Sequence, residues 1–297
     1  MKRAEHYKEA VIDIGTNTML LLAAEVSGQG NTRKLDRILA DQSTYVRLGQ
    51  GVHQNRQFAP EAMARALRCF DDYKQICDKL GVERIRATAT SASRDSTNAK
   101  KFYDDVFKKT GIRVDIIEGG QEAQYSFIGG LLPFQTPESS AILDIGGGST
   151  EFVVFDSKKK SVSGESLDIG SVRATEMFLR GDPYSKPSLS ELDAYLRSLW
   201  SSIGPQLQKE LREKEWTAIA GTPTTLAAMA LKLTTFDAAR VDGYRLSRCA
   251  VGDWYEELAI TPQAARLLNP FLSGGRADIM VAGVAILLTA MEFFNKE

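Results

Sequence analysis

The sequence predicts two related α/β domains, and three observations support this fold class. The chain has 297 residues, about twice the length of a typical domain of roughly 150 residues. Two near copies of one apolar segment, Ala10–Gly15 and Ala141–Gly146, lie about one domain length apart. Each copy is followed by small polar residues and a second apolar run, which is the pattern of a β-hairpin, and then by helical and strand-like segments. We therefore expect a duplicated unit with a cleft between its two copies.

In the first half, helices alternate with short strands. Apolar residues three and four apart predict a helix from Met63 to Leu80, with Pro60 near its start and Gly81 at its end. Its two cysteines are expected to be small core residues. The other elements are a strand over 84–90, a helix over 98–109 closed by Gly111, a strand over 112–117, a helix over 122–132 stopped by Pro133, and a linker over 133–140.

The second half repeats the hairpin and adds longer helices. The run Lys158–Lys160 predicts a solvated turn after the second hairpin strand. The Ser188-x-x-Glu191 spacing is typical of a capping box and predicts a helix that reaches about Leu211. Three elements follow: a strand over 216–220, a helix over 224–233, and a terminal helix after Gly274-Gly275. The uncharged apolar run 279–291 is shorter than the roughly 20 residues that span a membrane, so we expect a buried helix.

Composition and charge exclude several classes of function. The 37 Lys and Arg residues balance 38 Asp and Glu residues, so no positive field would hold nucleic acid or an anionic membrane, and we expect neither partner. Two histidines, His6 and His53, are too few for a multi-histidine metal site or a Ser-His-Asp triad. The three cysteines form no C-x-x-C pair and the N-terminus lacks the apolar core of a signal peptide, which predicts a cytoplasmic protein.

The segment Asp144–Glu151 carries the strongest chemical signal. Its three consecutive glycines let the backbone approach a ligand and point successive N–H groups into one concavity, which suits a phosphate. Asp144, at the end of the strand, offers the oxygen ligands that Mg²⁺ prefers. The alternative is a hairpin without a ligand, although tight hairpins seldom need three glycines with flanking acids. The candidate phosphate-binding residues in this loop are Gly146, Gly147, Gly148 and Ser149.

Two segments of the first half offer further phosphate contacts. The loop after Asp13 resembles the glycine loop and presents the hydroxyl of Thr16 and the amide of Asn17. Arg94 follows a predicted strand, and arginine is the side chain best matched to bidentate phosphate contacts. The plainer interpretations are a simple turn and a solvated surface arginine.

Two segments that begin helices complete the candidate residues. Gly221 and Thr222 join a strand to a helix, and helix N-termini bind anions readily, but the same residues also suit an N-capping turn. Glu122 lies at a helix start beside two glycines. There a carboxylate either takes part in chemistry or only stabilises the helix dipole.

Together these segments resemble the exopolyphosphatase and guanosine pentaphosphate phosphatase family, in its short two-domain form, within the actin-like and sugar-kinase-like superfamily. The resemblance runs in family order from residue 10 to about residue 290. The matching stretches are Asp13–Asn17, Arg94 with Asn98-Ala99, Gly119–Ala123, Asp144–Glu151, Leu167–Arg173, Gly221-Thr222, Arg276–Asp278 and Ala282-Gly283.

The resemblance implies two ribonuclease-H-like domains, over 1–124 and 125–287, with the active site in the cleft and residues 288–297 packed back on the first domain. It implies Glu122 as the catalytic base and Asp144, Glu151 and Asp13 as ligands of Mg²⁺, for which Mn²⁺ is the substitute. Thr16, Asn17, Arg94, the glycine loop, Gly221 and Thr222 are the implied phosphate contacts. A homodimer is also expected.

Three departures from the family pattern bear on function. The chain ends near residue 297, without the helical C-terminal domains of long members, which puts processive handling of long polyphosphate in doubt. Thr16 stands where many members have Ser, which keeps the hydroxyl group. The run Gly221–Thr224 replaces a more usual Ser-Gly-Thr run.

The sequence leaves the substrate and even the reaction open. Inorganic polyphosphate and guanosine pentaphosphate present the same terminal phosphoanhydride, so the residues do not choose between them. A small-molecule kinase of the same superfamily is a second interpretation. A sensor that binds guanosine tetraphosphate or polyphosphate without hydrolysis is a third, although the retained Glu122, Asp144 and Glu151 argue against an inactive site.

Overall fold

The computed structural model describes residues 6–28, 33–131, 140–156 and 161–297. The chain divides into two compact units, Met1–Glu118 and Gly119–Glu297, so the division precedes the helix that carries Glu122. Residues 288–297 belong to the second unit, where Phe294 is fully buried in the core. The turn predicted at Lys158–Lys160 and all but the last residue of the linker predicted over 133–140 lie outside the described residues, and that last residue, Ser140, begins a strand.

The first unit is a five-stranded sheet with helices packed on it. Its strand order is β3-β2-β1-β4-β5, in which β1 pairs antiparallel with β2 and parallel with β4. This is the order of a ribonuclease-H-like domain and confirms the predicted fold class. The elements are β1 (His6–Ile14), β2 (Thr18–Ser27), β3 (Lys34–Tyr45), α1 (Val52–Asn55), α2 (Pro60–Leu80), β4 (Arg84–Ala89), α3 (Ser91–Asp95), α4 (Ala99–Thr110) and β5 (Val114–Ile116).

The helix boundaries in this unit follow the sequence signals. Pro60 occupies the first turn of α2, and Gly81 ends the helix with φ of 68°, a left-handed conformation that glycine adopts without strain. Cys69 and Cys77 lie on the buried face of α2, as predicted. The long strand β3 was not predicted, because it is an edge strand with mostly exposed residues and a weak apolar pattern.

The second unit repeats this plan. Within the described residues its sheet has four strands, in the order β8-β7-β6-β9. As in the first unit, the leading strand β6 pairs antiparallel with β7 and parallel with β9. The elements are α5 (Gly119–Leu131), β6 (Ser140–Ile145), β7 (Thr150–Asp156), β8 (Ser161–Leu167), α6 (Ser171–Phe178), α7 (Lys186–Ser202), α8 (Pro205–Glu213), β9 (Glu215–Ile219), α9 (Gly221–Ala230), α10 (Ala238–Val241), α11 (Arg248–Ile260), α12 (Gln263–Arg266) and α13 (Met280–Phe293).

The helix α13 forms the centre of the second core. Most of its residues are buried, and it belongs to one apolar cluster with Phe152 of β7 and Trp200 of α7. The predicted buried helix is therefore confirmed. No helix within the described ranges has both the length and the apolarity needed to cross a bilayer.

One helix prediction in this unit is wrong both at its start and in its continuity. The capping residue of α7 is Ser185, whose side chain accepts a hydrogen bond from the Ser188 amide, so the helix begins three residues before the predicted capping box. The predicted single helix is two helices, because α7 ends at Ser202 and α8 starts at Pro205. Pro205 has no N–H to continue the ladder of the preceding helix.

The two hairpin turns share the same hydrogen bond, which confirms the internal repeat. The Gly15 amide donates to the Thr18 carbonyl oxygen at 3.0 Å, and the Gly146 amide donates to the Ser149 carbonyl oxygen at 3.0 Å. In the second unit the segment after β8 braces the turn, since the Ser171 amide donates to the Gly146 carbonyl oxygen at 2.9 Å. In the first unit the segment after β3 makes equivalent contacts with residues 16 and 17.

Gly170 allows the segment after β8 to lie this close to the glycine loop. A Cβ atom at position 170 would lie 2.5 Å from the Gly147 carbonyl carbon and 2.6 Å from the Gly148 nitrogen. These are backbone atoms, so either the loop or the start of α6 would have to move. Any larger residue at 170 therefore disturbs the loop.

We expect Gly170→Ala to lower the free energy of unfolding by about 1–3 kcal/mol, because overpacking against backbone cannot be relieved by a side-chain rotation. The matched control is Gly252→Ala in α11, where an added Cβ meets nothing within 4 Å and helix propensity rises. Chemical denaturation of both variants measures the difference. Equal stabilities for the two variants would show that the loop tolerates the added methyl group.

Candidate active site

The centre of the candidate site is a pair of carboxylates on the second hairpin. Asp144, at the end of β6, lies directly opposite Glu151 on β7 in the antiparallel register. Side chains at directly opposite positions point to the same face with Cβ atoms about 4.5–5.5 Å apart. Glu151 is only 1% exposed, and Asp144 is half-buried. The fold thus brings together two of the carboxylates that the sequence had singled out.

Neighbouring serines hold both carboxylates. The Ser126 hydroxyl donates to Asp144 Oδ2 at 2.5 Å, and the Ser166 hydroxyl donates to Glu151 Oε1 at 2.7 Å. Ser126 lies on α5 four residues after Glu122, so one face of the helix carries both side chains. The Ser149 side chain also hydrogen-bonds Glu151. These bonds limit the orientations that the acids can adopt.

Burial and mutual repulsion oppose ionisation of the pair. Burial raises the pKa of Asp144 to about 6, and the nearby Glu122 carboxylate raises it too, against the hydrogen bond from Ser126. Burial also raises the pKa of Glu151 well above its ordinary value, with Asp144 and Glu122 adding to the effect and Ser166 and Ser149 opposing it. The structure therefore concentrates three carboxylates whose charges repel, an arrangement that a bound cation would relieve.

The donor set fits a hard cation better than a softer one. Among the residues that the structure describes, no cluster of three or more His, Cys, Asp or Glu side chains is arranged to hold a metal. Mg²⁺ is commonly held by one or two carboxylates while it keeps several waters. Asp144 and Glu151 supply such a two-carboxylate set, with serine hydroxyls beside them. The residues present therefore fit Mg²⁺ bound largely through water.

Hydrogen bonds from Arg173 and Thr150 hold the glycine loop beside the acids in place. The buried Arg173 side chain donates from Nε to the Gly148 carbonyl oxygen at 2.9 Å. The Thr150 hydroxyl donates to the Ile169 carbonyl oxygen at 2.5 Å, so this hydroxyl is committed to the fold. These two contacts join the loop and the start of β7 to the segment that follows β8, which restricts the loop conformation. Gly146 and Gly147 remain partly exposed.

The start of α9 is held by an arginine that the sequence analysis did not assign. The Arg276 guanidinium donates to the Gly221 carbonyl oxygen, and to Thr225 Oγ1 at 2.7 Å. A Cβ at position 221 would overlap that guanidinium, which explains the glycine. Thr222 is buried with its side chain against Gly283, so only its backbone is available for the predicted phosphate contact.

Backbone strain marks the same junction. Ala220 has φ of 71° and ψ of −165°, a region that is essentially restricted to glycine. Ala220 lies between β9 and α9, and its carbonyl oxygen accepts a hydrogen bond from the Thr224 hydroxyl at 2.8 Å.

The hairpin of the first unit has the same turn but different side chains around it. Asp13 lies opposite Leu20, so the first hairpin has an apolar residue where the second has Glu151. Thr16 and Asn17 are buried, and a Cβ at Gly49 would overlap the Thr16 side chain. No second carboxylate therefore faces Asp13 from its partner strand.

Arg94 lies in α3, and its side chain is half-buried. It is therefore not the solvated surface arginine of the plainer interpretation. Its Nη1 donates to the Ile117 carbonyl oxygen at 2.9 Å, which ties the side chain to the end of β5. This contact orients the guanidinium within the first unit.

Besides Arg276, three residues of the site could not be assigned from the sequence alone. Ser126 had a signal, its spacing of four residues from Glu122 on a predicted helix. Arg173 belonged to a matched stretch, but nothing indicated that it braces the loop. Ser166 requires the β7–β8 register, in which it lies opposite Glu151.

Comparison with known proteins shows the family. A sequence profile of the Ppx/GppA phosphatase family matches residues 27–297. The chain is 36% identical over 290 residues to Exopolyphosphatase 2 of Mycobacterium tuberculosis, covering 94% of this chain and 88% of that protein.

Two solved structures share the fold over nearly the whole chain. One is the Ppx/GppA family member of Aquifex aeolicus, with a TM-score of 0.78 and 27% identity, covering 99% of this chain and 92% of that one. The other is an exopolyphosphatase from Cytophaga hutchinsonii, with a TM-score of 0.80 and 25% identity, covering 96% and 90%. With the matching motifs, the two sheets and the paired acids beside a glycine loop, these similarities show that the chain belongs to the Ppx/GppA phosphatase family.

Proposed function

We propose that this protein is a Mg²⁺-dependent hydrolase that releases the terminal phosphate of inorganic polyphosphate or guanosine pentaphosphate. The observation that carries the proposal is the pairing of the half-buried Asp144 with the buried Glu151 beside a glycine loop that Arg173 holds in place. The family and the exopolyphosphatase relatives support the class of reaction. Phosphate release from each substrate at matched concentration tests the proposal, and no release from either one would refute it.

The phosphate contacts come from backbone and hydroxyl groups. N–H groups of Gly147 and Gly148 bind the phosphoryl oxygens, because successive amides in a turn form a concavity for anions. The Gly146 amide, also predicted as a phosphate contact, is instead used by its hydrogen bond to the Ser149 carbonyl oxygen. Thr16, Asn17 and Arg94 of the first unit are the proposed additional contacts.

In the proposed reaction, a water oxygen forms a bond to the terminal phosphorus as the bond to the bridging oxygen breaks. The shortened substrate leaves with the bridging oxygen and the electron pair of the broken bond. Glu122 accepts the proton that the water loses. Mg²⁺ held by Asp144 and Glu151 would supply charge stabilisation for the phosphoryl oxygens.

Replacing the proposed base gives the sharpest test of its role. Glu122→Gln keeps the size of the side chain but removes its basicity, so we expect kcat to fall by roughly 10²–10⁴ while KM changes little. If Glu122 only stabilises the helix dipole, the variant instead loses about 0.3–1 kcal/mol of stability and keeps its turnover. Glu118→Gln, at an exposed carboxylate just before α5, is the matched control. Steady-state kinetics and thermal denaturation on the same preparations separate the two outcomes.

Burial of Asp144 predicts a pH-dependent stability. Its folded pKa of about 6 exceeds the ordinary value of 3.8, so the folded state is penalised once the group ionises, and stability is lost as pH rises through 6. In EDTA, Asp144→Asn should therefore be more stable than wild type by on the order of 2 kcal/mol near pH 8. The difference should vanish toward pH 4.

Denaturation curves over this pH range measure the effect. Asp168→Asn, at an exposed carboxylate near the same loop, is the control and should show no such trend. A variant Asp144→Asn that is less stable than wild type at every pH would mean that the lost carboxylate contacts outweigh the relief of burial.

Metal binding can be tested by thermal stability as well as by activity. If Asp144 is a ligand, Mg²⁺ should raise the Tm of the wild-type protein and leave that of Asp144→Asn nearly unchanged, because a ligand stabilises only the state that binds it. EDTA should abolish phosphate release. Full activity after exhaustive chelation, or an equal rise in Tm for both proteins, would contradict the metal site.

A further inference from the structure

One face of the sheet in the first unit is apolar and exposed. Successive residues of a strand point to opposite faces, and every second residue over Ala10–Ile14 is buried in the core beneath the helices. On the other face, which we call the outer face, Val11 of β1 lies opposite Leu22 of β2. Val11 is 46% exposed, and Leu20 and Ile38 on the same face are 43% and 53% exposed. The outer face therefore carries an apolar strip that is open to solvent.

The equivalent face of the second unit is covered by a helix. The internal repeat places Ile142 and Val153 at the positions of Val11 and Leu22, and the two are paired in the same antiparallel register. Both are fully buried and belong to one apolar cluster with residues of α5. Among the residues that the structure describes, no helix buries Val11 in this way. A surface that one copy of the fold buries is thus left uncovered in the other.

Opposite charges lie at the two ends of the apolar strip. The strand pairing sets four side chains in one row across the sheet, in the order Arg86, Val11, Leu22 and Asp41. Arg86 and Asp41 are both exposed, and no ion pair joins either of them to another residue in the described part of the chain. They lie three strand spacings apart, about 14 Å, which is too far for an ion pair within one molecule.

The neighbouring row of the outer face uses its charges internally. Arg84 lies 3.7 Å from Glu9, and its guanidinium also lies over the Tyr7 ring at 5.8 Å. Arg33 approaches the same Glu9 carboxylate at 3.5 Å. The charges of this row are balanced by one another, so the ends of the Arg86 row are the ones that a partner could pair.

A second copy of the chain matches this pattern of charge. Rotation by 180° about an axis parallel to the strands, between β1 and β2, places Arg86 over the partner's Asp41 and Asp41 over the partner's Arg86. The same rotation places Val11 over the partner's Leu22. Such a two-fold contact uses one self-complementary surface twice, which is the usual arrangement of a homodimer. Two sheets that pack face to face lie about 10 Å apart, so side chains from both can meet between them.

The outer face is also of suitable size. The four neighbouring strands β3, β2, β1 and β4 span about 19 Å, and the longer ones run for about 30 Å, which outlines a face of roughly 600 Å². Each partner in a standard interface buries about 800 Å² of accessible surface. Side chains that project from the sheet add area to the flat outline, so the face is large enough for a stable dimer.

We propose that the outer face of the first unit is the interface of a homodimer, in which a second copy of the chain packs its own outer face on it about this two-fold axis. Burial of the apolar strip supplies the driving force, and the two Arg86–Asp41 pairs fix the orientation of the copies. The inference does not depend on the proposed hydrolase function, because its tests measure association.

A charge at the centre of the outer face tests the interface. Sedimentation of the wild-type protein at micromolar concentration should give twice the chain mass of 32.7 kDa. We expect Val11→Glu to raise the dimer dissociation constant about tenfold or more, because the new carboxylate would be buried without a partner. Ile260→Glu is the matched control, since Ile260 is an apolar residue of the second unit that is 74% exposed, and it should leave the mass unchanged. Thermal denaturation shows that each variant is folded.

Charge exchange tests the orientation and does not rely on the Val11 variant. Arg86→Asp and Asp41→Arg each place like charges opposite one another in both contacts, so each should raise the dissociation constant about tenfold or more. The double variant restores opposite charges and should return the constant to near the wild-type value. A wild-type protein that remains monomeric, or a folded Val11→Glu that dimerises as tightly as the wild type, would overturn the proposal. A double variant that dimerises no more tightly than the single ones would also overturn it.

Discussion

The site depends on two carboxylates that face each other across one hairpin. Asp144 and Glu151 occupy directly opposite positions on β6 and β7, where like charges are unfavourable. Burial raises the pKa of each acid, the Glu122 carboxylate adds to the effect on both, and Asp144 adds to the effect on Glu151. Serine hydroxyls offset part of this cost, and a cation would offset more of it. A protein that holds such a pair in or at the edge of its core has an arrangement suited to binding positive charge at a fixed position.

The surrounding structure keeps this pair and the adjacent loop in one geometry. Gly170 lets the start of α6 lie against the glycine loop, and Arg173 holds the loop by its Gly148 carbonyl oxygen. At the neighbouring junction, Arg276 packs on Gly221, and Ala220 remains in a strained conformation. Each contact uses an inner carbonyl or a glycine. The loop is thus held through its Gly148 carbonyl oxygen, and its Gly147 and Gly148 amides are the groups that we propose for phosphate.

The two copies of the hairpin share one backbone turn but carry different side chains. Both hairpins close with the same glycine-amide hydrogen bond of 3.0 Å, and the segment after the third strand braces both. The first hairpin has Leu20 at the position where the second has Glu151. Only the second copy therefore places two acids face to face. The loops differ as well, because Thr16 and Asn17 of the first copy stand where the second has Gly147 and Gly148.

The sequence by itself determined the duplicated hairpins, the main amphipathic helices and the glycine loop, because these depend on local periodicity and on residues with restricted conformations, such as Pro60 and Gly81. It also identified Asp144, Glu151 and Glu122 as candidates. Only the tertiary structure decided that Ser166 faces Glu151, that Arg276 holds α9 and that Thr222 points into the core. These contacts join residues far apart in the chain or on different strands, and their register and packing are set by burial of the whole unit and not by any local pattern.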